Sequence, residues 1–268
     1  MKSYDNSIII RGLKVTACHG VHGFEKREPQ SFVFDAELFC DFSDTAGTDD
    51  LGDTVSYSDA CSMIVRIASE NSFNLIEKLA YECAYALMDA FSLNGVKVTV
   101  YKPEAPVKRD LDTVGVVVSL EREKVYLSLG SSMGDRESYI KKALEELNDT
   151  RGIRIRKVSS FIETEPYGGV AKNKFLNCAA EAETYLSPAR FLKRIHEIEK
   201  DCERERDKRW DDRTLDIDII FFGNRIICED DLTVPHPDYA NRGFVLAPLK
   251  EIAPDFVCPL LKKRVKFM

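Results

Sequence analysis

An α+β fold, repeated in two successive domains, is what this 268-residue sequence predicts. Three observations predict it. The chain is longer than one average domain. Short runs of alternating apolar residues mark strands, and longer runs with apolar residues at helical spacing stand between them. In the first half the order is strand, strand, helix, helix, strand, strand, which gives an antiparallel sheet backed by helices.

Residues 7–16 and 31–42 alternate as strands around a turn containing Gly20 and Gly23. Residues 58–71 and 75–91 carry Ile64, Ile67, Leu75, Leu79 and Ala86 at helical spacing, and Asn94-Gly95 reads as the stop of the second helix. Residues 96–101 and 114–120 alternate again. A single four-stranded sheet leaves open edges and one bare face, so closure into an oligomeric barrel is expected. The charged run Glu121-Arg122-Glu123-Lys124 is the one linker, bounding domains at 1–121 and 125–268. Beyond it, strands at 125–130, 153–163, 174–185 and 214–222 alternate with helices at 135–147 and 188–202. The second helix opens on Ser187-Pro188, an N-cap followed by proline at the first helical position. A short strand at Ile226-Ile227 and a small helix near 240 complete a ferredoxin-like α+β arrangement.

Composition narrows the function. Apolar residues make up 44% of the chain and charged residues 31%, as in ordinary globular protein. Residues 1–121 hold 11 Lys and Arg against 19 Asp and Glu, while residues 122–268 hold 27 against 26. The acidic first half argues against nucleic-acid binding there. With no long apolar run, signal peptide or basic targeting helix, the reading is a cytoplasmic protein that uses no membrane. The eight cysteines show no C-x-x-C pair and no histidine at zinc-site spacing, so buried free thiols are expected.

The richest stretch is 209–223, where Asp216 and Asp218 interrupt an apolar alternating run. On a strand these two share a face, roughly 7 Å apart at Cα. An acidic solvated edge strand is one reading. The other is a hard dication held by both carboxylates together with substrate phosphates. Arg204, Arg206, Lys208, Arg209 and Arg213 crowd the preceding residues, which suits a polyphosphate, although a solvated basic loop remains the alternative. Downstream, His236 and Arg242 stand six apart in a proline-rich loop before a short apolar helix. Gly130-Ser131-Ser132-Met133-Gly134-Asp135-Arg136 has one residue too few between its glycines for a P-loop and lacks the following Lys-Ser/Thr. Phosphoryl transfer in this half therefore rests on metal ions, arginines and positioning.

The segments Val125-Tyr126-Leu127-Ser128-Leu129-Gly130, Arg209-Trp210…Arg213-Thr214-Leu215-Asp216-Ile217-Asp218 and Thr233-Val234-Pro235-His236…Asn241-Arg242-Gly243-Phe244, in this order, resemble 6-hydroxymethyl-7,8-dihydropterin pyrophosphokinase from about Val125 onward. The resemblance implies transfer of the β,γ-pyrophosphoryl group of ATP to a pterin hydroxymethyl oxygen, with AMP leaving. It implies that Asp216 and Asp218 hold two Mg²⁺ ions, that Arg204 and Arg213 close over the triphosphate, and that Trp210 seals the site. It assigns His236, Arg242 and Glu199 to ATP. On the pterin side it assigns Thr164, Pro166, Tyr167, Phe175, Asn177 and Phe244, the two phenylalanines stacking on the ring and Asn177 supplying an amide. As single residues both phenylalanines also read as simple core. Phe175 stands where the family usually has Tyr, and Asp211-Asp212 where it has Gly-Pro, which puts the rate in question more than the reaction.

In the first half, Cys18-His19-Gly20-Val21-His22-Gly23-Phe24-Glu25, Asp53-Thr54-Val55-Ser56-Tyr57, Asn74-Leu75-Ile76-Glu77 and Val98-Thr99-Val100-Tyr101-Lys102-Pro103 resemble, together and in order, dihydroneopterin aldolase over residues 5–121. Singly, Glu77 reads as a helix-start acid, Lys102 as a solvated strand end, and His19 and His22 as turn residues. The resemblance implies a ββααββ tunnelling-fold domain and a retro-aldol cleavage that needs neither metal nor other cofactor. Lys102 would be the acid/base residue, Tyr57 from a neighbouring subunit its proton partner, and Glu25 a group near the side-chain hydroxyls. Glu77, with Ile76, would hold the pterin edge. A Schiff base on Lys102 is the alternative mechanism. Assembly as a homo-oligomer, tetramer or octamer, follows. The product of the first reaction is the substrate of the second, so the two resemblances imply one bifunctional folate-pathway enzyme acting on small pterins and ATP. A two-metal phosphodiesterase, or a pyrophosphokinase on a non-catalytic oligomerising scaffold, are the other readings.

Overall fold

The computed structural model describes residues 6–166, 173–202 and 213–268. The chain divides into two compact units, Met1–Arg122 and Glu123–Met268.

In the first unit β1 (Ser7–Ala17), β2 (Gln30–Phe39), β3 (Gly95–Lys102) and β4 (Val114–Glu121) form an antiparallel sheet in chain order. A short α1 (Thr45–Thr48) and a 3-10 turn at Leu51–Asp53 precede α2 (Tyr57–Glu70) and α3 (Ile76–Ala90). The helices cover one face because alternate strand residues are apolar: Phe32, Phe34, Ala36 and Leu38 of β2 and Val96, Val98 and Val100 of β3 are fully buried, against Ile64 of α2 and Leu79, Cys83 and Leu87 of α3. Ile9 and Val117 on the outer strands are more than half exposed.

One expectation changes here. Asn94-Gly95 does not cap α3, which ends at Ala90; Gly95 opens β3, and a side chain there would place its Cβ 2.8 Å from the Leu120 carbonyl oxygen, so the strand pairing itself requires glycine. The charged run does hold the boundary between the two units, and it is built of strand ends. Glu121 ends β4, Glu123 begins β5, Arg122 donates to the carbonyls of Leu93 and Met88 at 3.0 Å each, and Glu123 is buried in an ion pair with Arg225.

The second unit runs β5 (Glu123–Ser131), α4 (Arg136–Asp149), β6 (Ile153–Val158), β7 (Ile162–Thr164), β8 (Phe175–Thr184), α5 (Pro188–Asp201) and β9 (Asp216–Phe222). Its sheet order is β6-β8-β5-β9, all antiparallel, with β7 also on β8, the ferredoxin-like arrangement. Leu127, Leu129, Ile217 and Ile219 turn to the α4/α5 side, while Tyr126, Ile220 and Phe221 turn to the other, where α6 (Gly243–Ile252) lies. The expected strand 153–163 is broken at Ser159, whose hydroxyl takes the Ala179 N–H and donates to the Ser160 carbonyl, while Ser160 binds Glu251 of α6. A hairpin of β10 (Ile227–Cys228) and β11 (Thr233–Val234) and a 3-10 turn at Tyr239–Asn241 stand where the short strand and the small helix were expected. Ser187 caps α5 through the Arg190 N–H, as its sequence suggests. All eight cysteines are free, but Cys228 is exposed and Cys18 and Cys61 are half-buried. Among the described residues no helix is long and apolar enough to cross a membrane.

Candidate functional sites, one in each unit

In the first unit Lys102 ends β3 on the helix-covered face, 6% exposed, and is no solvated strand end. Its Nζ forms an ion pair with Glu25, donates to the His19 carbonyl at 3.0 Å and lies 5.7 Å from the centre of the Phe32 ring. The second Glu25 oxygen takes the His22 N–H at 2.9 Å. Burial alone would raise the Glu25 carboxyl; the Lys102 contact and the His22 N–H outweigh it and hold it below the ordinary 4.5. Gly20, at φ +152°, is required because a Cβ there would collide with that carboxylate.

His19 is not a turn residue in the sense expected. It is fully buried, its Nε2 donates to the Ala68 carbonyl at 2.9 Å, its Nδ1 accepts from the Phe73 N–H at 3.0 Å, and its ring stacks on Phe73. An Nδ1 that accepts and an Nε2 that donates are the pattern of a neutral Nε2–H imidazole. Burial, seconded by the Lys102 charge, pushes the ring below 6.5, and its two bonds tie the β1–β2 connection to α2 and the α2–α3 connection. Nothing local in the sequence signals this, since its partners lie 49 and 54 residues away. Tyr57, the first residue of α2, is 67% exposed, and Glu77 is exposed in the first turn of α3 beside half-buried Ile76. Among the described residues neither the Tyr57 nor the Glu77 side chain bonds to the Glu25–Lys102 pair.

In the second unit one row of residues crosses three strands: Asp216 on β9 faces Gly130 on β5, which faces Asn177 on β8. A Cβ on Gly130 would come within 2.9 Å of the Asn177 side-chain oxygen, so the glycine keeps the row flat enough for that amide. Asn177 donates to Thr164 at 2.9 Å, and half-buried Phe175 lies one residue pair along the same strand face. Asp218, two residues beyond Asp216, shares its side of β9. Arg213 pairs with Asp216 at 2.7 Å; Arg242 and His236 approach Asp218 at 3.5 and 3.9 Å. Arg242 is held by Asp238 at 3.0 Å and stands 5.9 Å over the Phe244 ring. Burial, then the neighbouring Asp216 charge, pushes Asp218 up to about 7. Burial, then the Arg242 charge, pushes His236 below 6.5. Two carboxylates that oppose each other's ionisation favour a cation between them.

Beside β9 opens a cavity of about 310 Å³ lined by Asp216, Asp218, Glu199, His196, Asp231 and Thr233 among others. Glu199, 3% exposed, accepts the Ile217 N–H at 2.9 Å and so pins α5 to the free edge of β9. Sequence alone shows the acid but not this bond. Among the described residues no three His, Cys, Asp or Glu converge as a metal cage; two carboxylates suit an ion that completes its shell with phosphate and water. Pro166 is half-buried; Tyr167, Arg204, Trp210 and Asp211-Asp212 lie outside the described residues.

Residues 126–254 match the family model of 7,8-dihydro-6-hydroxymethylpterin-pyrophosphokinase. The 2-amino-4-hydroxy-6-hydroxymethyldihydropteridine pyrophosphokinase of Bacillus subtilis is 43% identical over 127 residues, covering 47% of this chain and 76% of that protein. The chain belongs to the pyrophosphokinase family. Its first unit matches the dihydroneopterin aldolase model over residues 8–119, so an aldolase-family unit precedes the pyrophosphokinase-family unit. The folic acid synthesis protein FOL1 of Dictyostelium discoideum is 32% identical over 96% of this chain, which corresponds to 43% of its own length. The chain spans about two fifths of the length of the larger curated relatives it matches. A solved Escherichia coli dihydroneopterin aldolase in complex with neopterin is 31% identical, with 42% of this chain and 97% of that one covered, at a TM-score of 0.40.

Proposed function

We propose that the aldolase-family unit cleaves 7,8-dihydroneopterin to glycolaldehyde and 6-hydroxymethyl-7,8-dihydropterin, and that the pyrophosphokinase-family unit transfers a pyrophosphoryl group from Mg-ATP to that product, releasing AMP. The observation that carries the reading is the pairing of two built sites with consecutive chemistry: a buried Lys102–Glu25 pair in one unit and the Asp216–Asp218 face in the other.

In the first site the 2′-hydroxyl of the substrate side chain loses its proton, the C1′–C2′ bond breaks, and the electron pair moves from C1′ into the pterin C=N bond. A proton then returns to C1′. Lys102 holds and delivers protons, kept in place by Glu25 and the His19 carbonyl. Glu77, exposed in the first turn of α3, matches the paired N–H edge of the pterin. Tyr57, exposed and unbonded to the pair of its own chain, serves the pair of a neighbouring copy, which makes the aldolase a homo-oligomer, tetrameric or octameric.

In the second site Asp216 and Asp218 would hold Mg²⁺, two ions in the full complement. Bound there, the metal supplies positive charge against the phosphate oxygens. Arg213, Arg242 and His236 bind phosphate oxygens and exchange their present carboxylate partners for them. Asn177 reads the pterin edge beside Phe175, with Phe244 on the opposite ring face. Arg204 and Trp210, which lie outside the described residues, would contact ATP, with Glu199 toward the nucleotide.

Incubating the purified chain with dihydroneopterin, Mg²⁺ and ATP should give glycolaldehyde, AMP and a pterin pyrophosphate. AMP formed only when hydroxymethyl dihydropterin is supplied would overturn the aldolase half. A Gly20→Ala chain should release glycolaldehyde at least about tenfold more slowly, because the added methyl displaces Glu25, while AMP formation from supplied pterin stays unchanged.

A further inference from the structure

Gln30 opens β2 opposite Ala17, the residue at which β1 gives way to the connection carrying His19 and Glu25. It is 7% exposed. Among the described residues, its amide nitrogen and oxygen are the only fully enclosed side-chain polar atoms of this unit without a hydrogen-bond partner. A buried amide left unpaired on both atoms is costly, and native folds seldom keep one without a use.

Its position suggests the use. Gln30 and Phe32 alternate onto the same face of β2, and the Phe32 ring carries Lys102 Nζ on one side and meets the His19 ring at 5.2 Å. The other polar groups at this end of the sheet are committed: Lys102 to Glu25 and the His19 carbonyl, both Glu25 oxygens to Lys102 and the His22 N–H, both His19 nitrogens to backbone. Gln30 is, among the described residues, the uncharged side chain here whose donor and acceptor are both unpaired.

We infer that the Gln30 carboxamide recognises the hydroxylated side chain of the pterin substrate beside the Glu25–Lys102 pair, a specificity role that rests on the aldolase reading above. A carboxamide offers a donor and an acceptor without charge, as a hydroxyl group requires in return, whereas the ring edge calls for a carboxylate.

The test compares the full chain with Gln30→Met, and with Gln30→Leu as a second apolar replacement. It measures glycolaldehyde release from dihydroneopterin and the inhibition of that release by neopterin, which bears the side chain, and by pterin, which lacks it. The expected result is a KM about tenfold higher, a neopterin inhibition constant about tenfold weaker, an unchanged pterin constant, and an unfolding midpoint equal to or above that of the parent. Equal weakening of both inhibitors, an unchanged KM, or failure of both variants to fold would make Gln30 a structural residue and overturn the inference while the aldolase reading stands. No glycolaldehyde from the parent chain would overturn both.

Discussion

Replacing Asp218 with Asn should cut AMP formation from Mg-ATP and hydroxymethyl dihydropterin by about 10³-fold, with the unfolding midpoint unchanged or raised and glycolaldehyde release untouched. The asymmetry follows from the site. Asp218 is held up to about 7 because it is half-buried in the cavity wall and faces Asp216, so its charge costs the empty fold and serves when a cation is present. Asn has the same shape, leaves Arg242 its bond to Asp238, and removes the repulsion. The measurement is initial-rate AMP release beside thermal unfolding of the same preparation. AMP release within threefold of the parent would remove Asp218 from the metal site, and a large fall in the midpoint would make it a structural acid.

Lys102→Met should abolish glycolaldehyde release, by about 10²–10⁴-fold on the scale of general acid–base catalysis, and should also destabilise the first unit by roughly 3–5 kcal/mol. The second effect arises because Glu25, 1% exposed, is left charged without its partner. A Glu25→Gln/Lys102→Met chain should recover most of the stability and none of the activity, separating chemistry from packing. The pair also sets an acid limit. Glu25 titrates below its ordinary 4.5 in the folded state, so its contribution is fully present above that value and is lost as pH falls through the lower folded value. Urea unfolding between pH 5 and about pH 3 should show a steeper loss for the parent than for the double variant. Equal slopes would mean that Glu25 is not held in its ionised form.

The sequence carried the elements well where pattern is local. Alternation in β1 to β4 and in β5, β8 and β9, with helical spacing in α2 to α5, is enough to place them within a few residues. The Asp216–Asp218 face is legible too, because a strand forces i and i+2 to one side. What stayed hidden is long-range. Lys102 and Glu25 are 77 residues apart, His19 and Ala68 49, and Glu199 meets Ile217 across a helix-to-strand packing that no spacing encodes. Gly95 misled for the same reason: Asn-Gly is a common helix stop, and the demand made by the Leu120 carbonyl comes from a strand that follows it in the chain. The break at Ser159 depends on Glu251, 91 residues away from Ser160.

The junction at Arg122 and Glu123 has a practical meaning. Arg122 plugs the carbonyl end of the α3 segment through Met88 and Leu93, and Glu123 is clamped by Arg225, just past the end of the neighbouring strand β9. A protease offered the folded chain finds no slack at this point, and a genetic cut on either side strips one half of a tie it uses. Each unit keeps its own tie, so exchanging one of them for a relative means leaving Arg122 with the first and Glu123 with the second.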